Sequence, residues 1–174
     1  MAAVGCGKSP AGKKRLVRLV LLSLVLAVAA MIFLFSAQNG PASSATSNTL
    51  ARFIIMIIDP DFDMLSTGDQ RSVSAFVVKL VRKGAHFAEF AALGFFIRLL
   101  VASYGLRRPS RTAWLAGTLY ACTDELHQLF VASRACMWQD VLLDSCGVLC
   151  GVTAAYAILE LRRRYGRGRK EDGQ

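Results

Sequence analysis

The five cysteines of this chain include no CxxC pair, and that absence removes the simplest zinc and redox sites from consideration. Cys122, Cys146 and Cys150 fall inside apolar segments, where cysteine behaves as a small apolar residue. Cys136 has no evident partner in the sequence. Charge is scarce as well: 19% of the 174 residues are Asp, Glu, Lys or Arg, against 54% hydrophobic, which is high for a soluble domain. The length suits a single domain. Alternating polar and apolar strands are missing, which argues against a membrane barrel. No internal repeat is visible. The interrupted helices and inverted repeats that mark secondary transporters are missing too.

What is present is a set of solid apolar blocks. A hydrocarbon core of about 30 Å needs roughly 20 mostly apolar residues of helix. Residues 19–35, 85–103, 112–130 and 141–161 qualify once a few polar residues near their ends are allowed. The expectation is an all-α integral membrane protein, a four-helix transmembrane bundle over residues 16–161 with basic tails at 1–15 and 162–174. The first block is longer than the roughly 7–15 apolar residues of a signal peptide. The small-residue stretch at Ser43-Ser44-Ala45 also lies far beyond Phe35, so the block reads as an uncleaved anchor.

Between the first two blocks, Ser36-Ala37-Gln38-Asn39-Gly40-Pro41 and a Ser/Thr/Ala-rich stretch through Thr49 read as a turn and loop. Leu50, Phe53, Ile54, Ile57 and Ile58 then repeat at helical spacing and stop at Asp59-Pro60. They predict a short helix in the first outer loop, too short to span, that lies in the interface or docks on the bundle. Thr67 with Gln70 looks like a capping box, so the second helix is expected to start near residue 68 and run to 103. Gly84 is a place where it can bend, with Lys79, Arg82 and Lys83 at the water interface.

The net charge of +9 is distributed as topology demands rather than as a nucleic-acid surface. Basic residues gather in both tails and in the link holding Arg107, Arg108 and Arg111. By the positive-inside rule these regions are cytoplasmic, and four spans put all three on one side. Arg52, Arg71, Lys79, Arg82 and Lys83 in the first long loop run against that bias. The reading is a multi-pass protein of the bacterial cytoplasmic membrane with both termini inside. Its tails meet anionic lipid, and nucleic acid is not expected as a partner.

Ionisable residues at span ends stand out against this background, because a charge in lipid is costly unless it is paired or faces water. Lys83, His86 and Glu89 open the second span, Asp124, Glu125 and Gln128 close the third, and Asp140 and Asp144 open the fourth, just after Arg134. The topology puts every group at the outer half of its helix, which predicts one polar pocket on the outer face. Asp140, Asp144, Gly147 and Gly151 form one helical stripe, two carboxylates above two glycines that let helices approach closely. His127 lacks a matching polar stripe and reads as structural.

The pattern Lys83-x-x-His86-Phe87-x-Glu89-Phe90, then Asp124-Glu125-x-x-Gln128-x-Phe130, then Arg134, Asp140, Asp144, Gly147 and Gly151 resembles the VanZ-like membrane protein family. Phe35-Ser36-Ala37-Gln38 looks like that family's first-span exit. The resemblance covers roughly residues 16–161. It departs at Phe90, where Tyr is common, at Ala132-Ser133, where Pro-Gly is common, and at Asp144, where Asn is usual. It implies a setting in the bacterial cell envelope and a theme of tolerance to glycopeptides such as teicoplanin.

Two readings of the site follow. In one, Lys83 and Arg134 hold the anionic group of a lipid-linked envelope component. His86 and Glu89 are then a candidate catalytic acid–base pair. Asp124, Glu125, Gln128, Asp140 and Asp144 complete the ligand site, the aspartates pairing with the cations or holding a metal that no spacing specifies. In the other, the same residues satisfy one another and form a non-catalytic scaffold for a partner. The residues by themselves assign neither an enzyme activity nor a cofactor nor an oligomeric state.

Overall fold

A computed structural model of the chain describes residues 10–37, 40–131 and 137–171. These form five α-helices: α1 (Pro10–Ser36), α2 (Gly40–Ile58), α3 (Thr67–Ser103), α4 (Pro109–Gln128) and α5 (Trp138–Glu171). A 3-10 turn, Phe62–Met64, precedes α3, and there is no strand among the described residues. Three helices are long and apolar enough to cross a membrane: Ala11–Ser36, Thr67–Ser103 and Trp138–Tyr165. The chain is thus an all-α membrane protein. The remaining expected span, residues 112–130, corresponds to α4 and lies outside that set, because Arg111, Asp124 and Glu125 dilute its apolar content.

Two local expectations are corrected. The helix in the first loop is longer than the short segment expected from residue 50, since α2 runs over 19 residues from Gly40. Gly40-Pro41 opens this helix instead of making a turn, because proline in a first turn gives up an N–H that has no helical partner anyway. The far half of α2 is anchored by Ala51 and Ile55, 1% and 4% exposed. The cap of α3 lies one residue earlier than expected. Ser66, not Thr67, is the N-cap; its Oγ accepts from the Asp69 N–H at 3.3 Å and donates to Asp69 Oδ2 at 2.7 Å. Gln70 turns back to donate to the carbonyls of Phe62, Asp63 and Leu65.

The helices meet around a core of Ile32, Phe90, Leu93, Ala113, Ala121, Val148 and Val152. Its closest seam joins α3 and α5. A methyl group at Gly147 would meet the Phe87 carbonyl oxygen at 2.5 Å, and one at Gly151 would collide with the Ala91 carbonyl. From the other side, a methyl at Gly94 would strike the backbone of Val148. Gly117 on α4 clasps the same valine, whose Cγ1 lies 2.6 Å from where a Cβ would be. Val148 is therefore a knob between two glycines, with no exposed surface. α1 is tied on by Tyr120, which donates to the Ala29 carbonyl at 2.7 Å, and by Arg18, which donates to the Ser103 carbonyl at 2.8 Å and lies over the Tyr104 ring. Between α3 and α4 the chain turns tightly at Gly105, whose φ of 72° lies in the left-handed region that favours glycine.

Candidate polar site

The site is built where the middle of α3, the C-terminal turn of α4 and the first turns of α5 come together. On α3, Lys79, Arg82, Lys83 and His86 recur three or four residues apart and so share one face. Glu125 and Gln128 come from α4, and Asp140 and Asp144 from one stripe of α5. With Met137 and Leu143 they line a cavity of about 360 Å³. The structure thus gathers Lys83, His86, Glu125, Gln128, Asp140 and Asp144 around one space. Arg134, the remaining expected cation, lies outside the described residues.

The cavity has a cationic wall and an acidic floor. Lys79 is exposed, Arg82, Lys83 and His86 are partly buried, and Glu125 and Asp144 are each 2% exposed. Lys83 Nζ makes an ion pair with Asp140 Oδ1, linking α3 to α5. Glu125 Oε2 accepts from the Met137 N–H at 3.1 Å, which ties α4 to the start of α5. Glu89 and Asp124 do not line the cavity. Asp124, 3% exposed, accepts from Ser36 Oγ at 2.8 Å and from Gln128 Nε2 at 2.9 Å. The expected acid–base pair is not hydrogen-bonded, since His86 Nδ1 and Glu89 Oε2 stand 3.9 Å apart. His127 stacks on Phe33 of α1, with ring centroids 4.4 Å apart.

Electrostatically the floor is crowded. Asp144 lies in the fields of Asp124, Glu125, Asp140 and Glu89. Among the described residues, Asp144 Oδ1, Asp124 Oδ1 and Glu89 Oε2 are buried without a hydrogen-bond partner. Buried polar atoms in that condition are costly, by roughly 1–3 kcal/mol each. No group of three or more His, Cys, Asp or Glu among the described residues has the geometry to hold a metal ion. Chemically, the arrangement can attract an anion at its mouth and presents carboxyl groups at its base.

Sequence reasoning missed several participants. Lys79 and Arg82 are one turn before Lys83 and His86 on the same face, a spacing that marks them as wall residues and not only interfacial cations. Ser36 is a partner of Asp124 that no local pattern reveals, because the two are 88 residues apart. Gly94 and Gly117 are equally silent until Val148 is placed between them.

No curated protein and no solved structure matches the chain. A family model described as VanZ/LLP1 matches residues 21–160. That stretch takes in most of α1, all of α2 to α4, the greater part of α5 and every residue of the cavity. The chain belongs to the VanZ/LLP1 family.

Proposed function

We propose that the cavity between α3, α4 and α5 binds the anionic group of a lipid-linked cell-envelope component on the outer face of the bacterial cytoplasmic membrane, and that this activity gives tolerance to glycopeptides such as teicoplanin. The observation that carries this reading is the cationic wall. Lys83 is committed to Asp140. Among the described residues Lys79 and Arg82 make no ion pair, although both line the cavity. Two cations at the mouth of a recess are suited to a phosphate or carboxylate, which an arginine can hold bidentately.

In this reading α4 crosses the membrane as well. Its polar groups Asp124, Glu125 and Gln128 are buried, whereas Leu115, Leu119 and Leu126 are 49%, 66% and 56% exposed. A helix that is polar inward and apolar outward spans lipid at a lower mean hydropathy than an isolated one. Both tails and the Gly105 turn then share the cytoplasmic side.

A second reading is favoured by the links Lys83–Asp140 and Ser36–Asp124–Gln128, which join four helices without any ligand. There the polar groups specify one packing and the protein acts as a scaffold. Teicoplanin susceptibility in a bacterial host, at matched membrane levels, separates the two. The native chain is expected to raise tolerance, and Lys79→Ala with Arg82→Ala, or His86→Ala, to abolish it. Equal protection by these variants would leave the scaffold reading standing, and no protection by the native chain would remove the tolerance theme for this member.

A further inference from the structure

A second cavity, of about 240 Å³, opens at the opposite end of the bundle, between the C-terminal part of α3, the start of α4 and the later turns of α5. Arg98 lines it and is 6% exposed although it carries a guanidinium. Arg98 Nε donates to Ser110 Oγ at 2.9 Å. Its Nη1 is buried and has no acceptor among the described residues. No described carboxylate lies within ion-pair distance of it. A buried charge left in that state is strongly unfavourable, so the site calls for an anion.

Three further features point the same way. Arg163 lines the same cavity, so two guanidinium groups converge on it. The one carboxylate in the wall, Glu160, is turned to its own helix, 3.9 Å from Arg163 Nη1 and 3.6 Å from Arg164 Nε. Pro109 brings the N-terminal end of α4 to the wall, and the N-cap residue, Arg108, makes no side-chain capping hydrogen bond. The first N–H groups of that helix and its dipole favour negative charge there.

The depth of the site decides the class of anion. Arg98 is within two turns of the end of α3, where Arg18 lies over the ring of Tyr104, an aromatic and a cation paired as they are at a membrane interface. Arg162, Arg163 and Arg164 follow the apolar part of α5 at the same end. Phosphate groups of lipids lie at this level, and basic recesses between membrane helices accept such headgroups. We propose that Arg98 and Arg163, with the N-terminal end of α4, bind a phosphate group, carried by an anionic phospholipid headgroup or by a soluble phosphoester. The site is separate from the cavity discussed above and does not depend on what that cavity binds.

The full chain, with Arg98→Gln, Arg98→Lys and Arg163→Ala variants, tests this. In one arm the proteins are reconstituted in phosphatidylcholine vesicles containing phosphatidylglycerol, and retained lipid is read by native mass spectrometry. In the other, inorganic phosphate and glycerol phosphate are titrated in phosphate-free detergent and followed by phosphorus NMR. Arg98→Gln is expected to weaken binding by about tenfold or more, Arg98→Lys by less, and Arg163→Ala several-fold. Arg52→Gln, an exposed change on α2, leaves it unchanged. Loss confined to the vesicle arm identifies a lipid headgroup, and loss in the detergent arm a soluble phosphoester. Absence of binding in both arms, or equal binding by native protein and Arg163→Ala, overturns the proposal. The Arg163 side chain is three-quarters exposed, so that variant decides the matter even if Arg98→Gln does not fold.

Discussion

Lys83 and Asp140 come from helices far apart in sequence, and both were singled out by position alone, as charges at the rims of apolar blocks. The structure makes them a pair. Each side chain is about one-third exposed, so solvent screens the bond and its contribution to stability is about 0.5–1 kcal/mol. Asp140→Lys alone should lower the unfolding temperature in detergent, and adding Lys83→Asp should restore it. Glycopeptide tolerance then gives the second readout. A scaffold recovers with the exchanged pair, whereas an anion site gains a carboxylate beside Lys79 and Arg82 on its α3 wall and stays impaired. Asp124, Glu125 and Gln128 were legible for the same reason as Lys83, since polar groups near the end of an apolar helix need an explanation. Arg98 also lies near the end of an apolar block, but alone, with no second ionisable residue beside it to mark a cluster. A basic residue near the end of a span ordinarily snorkels to water, and only the approach of Ser110 and the closing of α5 over it make its burial visible.

Among the elements, α3 and α5 form the tightest contact, through glycines that admit no side chain. A methyl group at Gly151 has no room beside the Ala91 carbonyl. Gly151→Ala should therefore push the two helices apart and destabilise the protein by about 1–3 kcal/mol, as overpacking does. Gly84→Ala is the matched comparison, because nothing lies within 4 Å of its Cβ position. Alanine there should stabilise the helix by roughly 0.5–1 kcal/mol. Thermal unfolding of both variants in one detergent checks the pair, and equal shifts would contradict the close seam. Gly147 and Gly151 could be read from their spacing with Asp140 and Asp144. Gly94 and Gly117 could not, because what they accommodate is Val148 from another helix. The long apolar helices were legible from composition. The start of α2 was not, because Gly-Pro serves a turn and a helix N-terminus equally well, and the cap of α3 slipped by one because Ser66 and Thr67 are adjacent hydroxyl residues.

For the whole molecule, the excess of basic charge in the tails and around Arg107 and Arg108 argues for one orientation, and the buried polar face of α4 argues for a fourth crossing. Single cysteines placed at Arg107 and at Trp138, in a background with the native cysteines replaced, test both. A membrane-impermeant maleimide should reach the first only from the cytoplasmic side and the second only from outside. Labelling of both from one side would mean that α4 does not cross. The charge bias could be read from the sequence, but the partition of polar groups into two cavities at opposite ends could not, because it depends on which helices are neighbours.

The glycine contacts between α3 and α5 have a mechanical consequence. Where backbone meets backbone there are no side chains to change rotamer, so neither helix can rotate or slide against the other by small steps. The pair behaves as a single stiff rod carrying one cavity at each end. Against that rod α4, which contributes Gln128 to one cavity and Pro109 to the other, is the lever through which an event at one membrane surface would reach the opposite one.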